Sequence, residues 1–192
     1  MNTRQTRAVF VLATFCGLRV SEIIGLRLRD VKAGIGRPVI RIPGAIAKRH
    51  KPREIPLWRL SKALHYLSEW KREREGQGAM PADPFVCAQS KAAAGNALTR
   101  QNARNRFKAA VKVLGAERAD MLSIHNGRHT CASHLLAAGW PLPLVRDTLG
   151  HADVSTTSVY SHVVVDDTAP PDPFAFVGGD PPTAMGRVRP LS

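Results

Sequence analysis

Two short stretches of this sequence hold side chains able to work on a phosphate ester. In His125-Asn126-Gly127-Arg128 the outer residues are three apart, so on a helix they share one face and point an imidazole and a guanidinium at one spot. Arg offers planar, bidentate donors suited to phosphate, and His moves protons near neutral pH. In the second stretch, Leu149-Gly150-His151 is followed nine residues later by Tyr160. A phenol can attack phosphorus and be held as a covalent ester, but its ordinary pKa of about 10 calls for cationic neighbours. Taken singly, each has a plain explanation: a solvated His–Arg pair, and an amphipathic Tyr at a helix end. His125 and His129 are four apart and suggest zinc. A zinc-protease helix, however, needs a Glu between its histidines, and Asn126, Gly127 and Arg128 stand there instead. No metal is therefore assigned, and His129 and His134 are read as structural.

The composition limits the partners. The chain has 192 residues, with 28 Lys plus Arg against 15 Asp plus Glu, a formal charge of +13. That length suits one globular domain with trimmings, and at 44% hydrophobic residues it can bury a core. Residues 1–165 hold 26 basic and 11 acidic side chains, whereas 166–192 hold 2 and 4. The basic surplus belongs to the folded part and points to a polyanion, usually nucleic acid. No apolar run reaches the roughly 18 residues that span a bilayer. Arg4 and Arg7 precede the apolar run Ala8–Cys16 like a signal peptide, but no small-residue cleavage site follows, so no leader is assigned. Cys16, Cys87 and Cys131 are too scattered for a disulfide framework or zinc ribbon and read as core thiols of a reducing compartment. No phosphate-binding Gly loop or dinucleotide fingerprint is present, so ATP and NAD chemistry lack support.

The elements that must position these side chains follow from periodicity. A buried helix is expected over Thr6–Phe15, ended by Gly17, and a second over Val20–Arg29. Val39–Ile42 reads as a strand and Glu54–Leu57 as its hairpin partner, joined by the basic stretch Gly44–Arg53. Leu60, Leu64 and Leu67 mark a third helix ending in Lys71–Glu75; residues 76–84 read as loop and Phe85–Cys87 as a strand. Thr99 caps a helix stopped by Gly115, apolar on one side and cationic on the other (Arg100, Arg104, Arg106, Lys108, Lys112), which suits a phosphate backbone. Helices over His125–Ala138 and Leu142–Leu149 end at Gly139 and Gly150. A short helix from Ser155 to Tyr160 and a strand over His162–Val165 follow, then a Pro/Gly-rich tail from Asp166.

The whole set in order carries more than any part. Arg19 stands in Gly17-Leu18-Arg19-Val20-Ser21-Glu22, Lys48 in the basic hairpin five residues before Arg53, then come His125, Arg128, His151 and Tyr160. With its framing residues, Arg128-His129-Thr130, Ala132-Ser133-His134-Leu135-Leu136, Thr156-Thr157 and Tyr160-Ser161-His162-Val163, the sequence over about residues 6–165 closely resembles the tyrosine recombinases, the phage integrase family. The resemblance implies an α+β, mainly helical catalytic domain with a small antiparallel β-sheet over residues 1–165, and a tail over 166–192. It implies site-specific DNA recombination or integration through a 3′-phosphotyrosyl intermediate, without metal, ATP or other cofactor. Carried over residue by residue, Tyr160 is the nucleophile and Arg19 and Arg128 grip the non-bridging oxygens. Lys48 protonates the leaving 5′-oxygen, with Lys51 and Arg49 as neighbours in the same loop and the spacing to Arg53 favouring Lys48. His125 assists proton removal or orients the phosphate, His151 donates to it, and Glu22 supports the site. The implied partners are double-stranded DNA and further copies of the chain, a tetramer on paired sites, in the cytoplasm at the nucleoid and not in a membrane.

Three departures from the family pattern stand out. The chain starts 18 residues before Arg19, so an earlier catalytic-domain helix and a DNA-clamping domain are expected to be lacking. Asn126-Gly127 replaces the usual Asp-Leu, and the missing Leu is expected to leave space that loosens His125 and Arg128. The Pro-rich tail departs from the helix relatives donate to a neighbouring subunit. A catalytically weak, DNA-binding remnant of an integrase is therefore the alternative. A type IB topoisomerase shares the chemistry, but Leu-Gly-His and Gly-Leu-Arg look more like the recombinases.

Overall fold

The structure, a computed structural model, describes residues 3–34, 36–89 and 94–150. His151, Tyr160, the helix and strand expected over 155–165 and the tail from Asp166 lie outside the described residues.

Helix α1, Arg4–Thr14, runs through the centre. Thr3 caps it by accepting from the Thr6 N–H, and Ala8, Val9, Val11, Leu12 and Ala13 are all buried. A helix apolar on most sides needs cover all round, and α1 packs against α3 (Ser61–Gly76), α4 (Arg100–Val111) and α6 (Ile124–Ala137). Gly17 turns the chain in left-handed backbone (φ 64°), and Arg19 then begins α2, Val20–Gly25.

The second helix is shorter than expected. Leu26 is extended, because the backbone of 26–28 is taken by another segment: Phe85 N–H donates to Leu26 O (2.8 Å) and Leu28 N–H to Asp83 O (3.0 Å). The same contacts correct the strand expected at Phe85–Cys87. That segment makes only single bridges, Arg27 with Pro84 and Cys87 with Ala97, and joins no sheet. A three-stranded antiparallel sheet follows, in the order β1 (Val31–Lys32), β2 (Val39–Ile42), β3 (Arg53–Pro56). Its register pairs Ile40 with Ile55 and Ile42 with Arg53. The two-residue strand β1 is too short to show a period of two in the sequence.

Thr99 caps α4 as expected, accepting from the Asn102 N–H. The α-helix stops at Val111 and tightens into a 3-10 turn over Lys112–Leu114 before Gly115. A short α5, Ala116–Met121, precedes Ser123, which caps α6 through Asn126. Helix α7 runs Leu142–Leu149 and ends at Gly150 in left-handed backbone (φ 65°, ψ 47°). Cys16, Cys87 and Cys131 are buried free thiols. Burial drives the Cys16 thiol well above its ordinary range and Cys131 up to about 12, so both stay protonated as core residues.

Candidate active site

Three of the six expected residues converge. Arg19 at the start of α2, and His125 and Arg128 on the first turns of α6, line one open pocket of about 240 Å³, with Arg104 of α4 and Ser123 at its rim. Lys48 is on the β2–β3 connection, in the exposed turn Lys48–His50. His151 and Tyr160 lie outside the described residues.

The two arginines are held by backbone carbonyls. Arg128 is buried and donates from Nη1 to Gly17 O and from Nη2 to Leu149 O, joining the turn after α1 to the end of α7. Burial, then the neighbouring Arg19 charge, pulls its pKa down to about 9, so it remains cationic at neutral pH. Arg19 donates from Nη2 to Gly150 O (3.0 Å) and from Nη1 to Glu22 Oε1 (3.2 Å), while its own N–H bonds Glu22 Oε2 (2.8 Å). Glycine is required at both turns. A Cβ on Gly17 would collide with Leu149 Cδ2, and one on Gly150 would lie 3.1 Å from the Arg53 guanidinium.

Glu22 and Arg53 complete this frame. The Glu22 side chain is 0% exposed and takes a bidentate pair from Arg53, Nη1 to Oε1 (2.8 Å) and Nη2 to Oε2 (2.9 Å). Arg53 Nε donates to Thr148 O (2.8 Å). Burial by itself would raise the Glu22 carboxyl, but the hydrogen bonds and charges of Arg53 and Arg19 outweigh it and hold the pKa below its ordinary value. Sequence reasoning found Glu22 as support and took Arg53 only as a spacing mark. The signal for Arg53 was the strand period: it shares a face with buried Ile55, two residues on, and therefore points inward.

His125 is exposed, and its Nε2 lies 3.0 Å from His129 Nε2, the rings crossing edge to face at 4.5 Å. Burial, then His129, Arg128 and Arg19, push His125 below its ordinary pKa, so it is neutral at pH 7 and able to accept a proton. His129, read as structural, sits one turn after His125, exposed, and touches it. Gly127 also departs from expectation. The space a Leu would take is already filled, because a Cβ there would lie 3.0 Å from Thr14 Oγ1 and 3.1 Å from Phe107 Cε2. The cationic face of α4 is partly engaged: Arg106 bonds Gln89 (3.3 Å) and Lys108 meets Asp120 (3.3 Å), while Arg100, Arg104 and Lys112 are exposed. Among the described residues no three metal-ligating side chains converge, and no helix is long and apolar enough to cross a membrane.

The profile of the phage integrase family matches residues 2–166, which includes every residue of this pocket. The chain belongs to the phage integrase family. Members similar to it include tyrosine recombinase XerD of Pseudomonas putida, 34% identical over 162 residues, covering 83% of this chain and 50% of that protein. XerD of Ralstonia nicotianae is 38% identical over 160 residues, covering 82% of this chain and 48% of its own length. The chain thus spans about half the length of the curated relatives it matches. Among solved structures, the XerH site-specific recombinase bound to difH substrate before cleavage superposes with a TM-score of 0.63 at 26% identity, over 83% of this chain and 43% of that one. The mainly helical domain with a small antiparallel sheet is the architecture the sequence implied.

Proposed function

We propose that residues 1–165 are the catalytic domain of a site-specific tyrosine recombinase, with 166–192 as a tail. The domain acts on double-stranded DNA by breaking and rejoining strands through a 3′-phosphotyrosyl intermediate. The observation that carries this reading is the convergence of Arg19, Arg128 and a neutral His125 on one pocket, with both guanidiniums fixed by backbone carbonyls and Arg19 also by a buried carboxylate.

The chemistry follows from those groups. Tyr160 Oη attacks the scissile phosphorus as its proton passes to His125, whose lowered pKa suits it as acceptor. Arg19 and Arg128 bind the non-bridging oxygens and stabilise the charge that grows there, and His151 adds a further donor. Lys48 gives its proton to the 5′-oxygen as the P–O bond breaks, leaving a 5′-hydroxyl and a phosphotyrosyl ester. The ester keeps the energy of the broken bond, so a 5′-hydroxyl attacking it rejoins the strand without ATP. The resemblance of the whole ordered set, together with relatives named as recombinases, supports homotetramer assembly on paired sites in the cytoplasm, at the nucleoid.

The competing reading, a remnant that binds DNA but cleaves poorly, rested partly on space left by Gly127; Phe107 and Thr14 fill that space, which favours the competent enzyme. The test is a nicked suicide duplex drawn from the chain's genomic flanks, incubated in EDTA and resolved in SDS. A covalent protein–DNA adduct that disappears in Tyr160→Phe is expected. Salt-sensitive binding without adduct, equal in both proteins, would establish the remnant instead.

A further inference from the structure

Arg19 and Arg53 compete for one carboxylate, and the way they share it has a consequence for the reaction. Glu22 is wholly buried and is a single negative charge between two guanidiniums. Arg53 takes it with the stronger geometry, two parallel bonds at 2.8 and 2.9 Å, whereas Arg19 reaches it with one side-chain N–H at 3.2 Å. Arg19 has five N–H groups. One goes to Glu22 and one to Gly150 O, which leaves three without a partner among the described residues, on a side chain 23% exposed at the pocket. Arg53 cannot touch substrate itself: its side chain is 8% exposed, its Nε is bound to Thr148 O, and Gly150 lies against its guanidinium.

We infer that Arg53 is a positioning residue that occupies the Glu22 carboxylate so that Arg19 keeps its net charge and its free donors for the DNA phosphate. Without Arg53, Glu22 would be a buried carboxylate with Arg19 as its one remaining side-chain hydrogen-bond donor among the described residues. A fork-to-fork pair with Arg19 is then the favoured arrangement, since it satisfies both oxygens. Arg19 would turn away from the pocket and its charge would be cancelled where the phosphate needs it. The role is electrostatic as well as steric, and this separates it from ordinary bracing. Loss of bracing is made worse by removing a second strut, whereas loss of Arg53 is relieved by removing the charge that captures Arg19.

The inference rests on the reading that Arg19 binds phosphate, and a double-mutant cycle tests it. The variants are Arg53→Met, Glu22→Gln/Arg53→Met and Arg53→Lys, in the full chain, each checked for folding by thermal melt. Two quantities are read: the single-turnover cleavage rate at saturating suicide duplex, and the salt dependence of binding to the intact duplex. Arg53→Met is expected to slow cleavage about 100-fold, the scale of one lost charge-stabilising donor. It should also lower the salt slope by about 0.9, one phosphate contact, although Arg53 touches no phosphate. Glu22→Gln added to Arg53→Met should recover most of both losses. Arg53→Lys keeps the net charge but not the fork and should stay about 10-fold slow, which separates capture of Arg19 from a general charge effect. The inference is overturned if the folded double variant is no faster than Arg53→Met, or if Arg53→Lys equals the wild type. Should the wild-type chain form no adduct, the recombinase reading fails by itself; the salt slope still decides, and an unchanged slope in Arg53→Met overturns the inference.

Discussion

Two regions carry expected site residues, the Arg19–Arg128 pocket and the β2–β3 loop, and these two banks are built in opposite ways. On one bank, Arg19, Glu22, Arg53 and Arg128 are wholly or largely withdrawn from water, the three arginines tied to the carbonyls of Gly17, Thr148, Leu149 and Gly150 and Glu22 held by Arg19 and Arg53. On the other, Lys48 sits in an exposed turn in which Arg49 (φ 58°) and His50 (φ 54°) both take left-handed backbone without being glycine. The difference matches the work proposed for each. Stabilising charge in a transition state rewards groups that need no rearrangement when the charge appears. A general acid needs reach and an exchangeable proton, which an exposed Lys on a loop supplies.

The buried bank is most sensitive at Arg128. Arg128→Ala should slow adduct formation by about 1000-fold. It should also lower the melting temperature, because two carbonyls lose their donor; Arg128→Lys should recover little, since one ammonium cannot serve both. Next in size, Gly17→Ala forces left-handed backbone on a residue with a Cβ and drives that Cβ into Leu149. A loss of about 3 kcal/mol or more is expected in denaturant unfolding.

Gly127→Leu restores the usual family residue and would be a gain if the helix were underpacked. With Thr14 and Phe107 already against that position, unfolding experiments should show a loss of about 1–3 kcal/mol. Acid titration distinguishes the banks further. The Glu22 pKa is depressed in the folded state, so its contribution to stability is complete above its ordinary value of 4.5 and is lost as pH falls through the lower folded value. Glu22→Gln should flatten the melting temperature against pH in that acid window. His125 is likewise lowered below 6.5, by burial first and then His129. In His129→Gln the acid limb of the cleavage profile should therefore move up toward 6.5. The smallest effect belongs to the exposed bank: Arg49→Gly should change stability by about 1 kcal/mol at most, as relief of left-handed strain offsets the added entropy of the unfolded chain.

How much of this was legible in the sequence depends on the range of the cause. Helices α6 and α7 end where Gly139 and Gly150 say they should, and β2 with β3 shows in the β-branched Val39, Ile40, Ile42 and Ile55, because caps and composition are local. The early end of α2 was not legible: it is imposed by residues 83–85, more than fifty positions away. The filling of the space beside Gly127 was hidden for the same reason, since Phe107 comes from another helix. Arg53 was one cation among several in a basic stretch, and its task appears only when Glu22 and Thr148 are brought beside it.

The division of labour between the banks can be tested in one substrate. Sulfur in place of the bridging 5′-oxygen at the scissile phosphate gives a thiolate leaving group that departs without a proton donor. Single-turnover cleavage would be compared for the oxygen and sulfur duplexes in Lys48→Ala, Arg19→Ala and Arg128→Ala. Sulfur is expected to restore Lys48→Ala to nearly the wild-type rate and to leave both arginine variants slow. Restoration of an arginine variant, or none for Lys48→Ala, would contradict that division of labour.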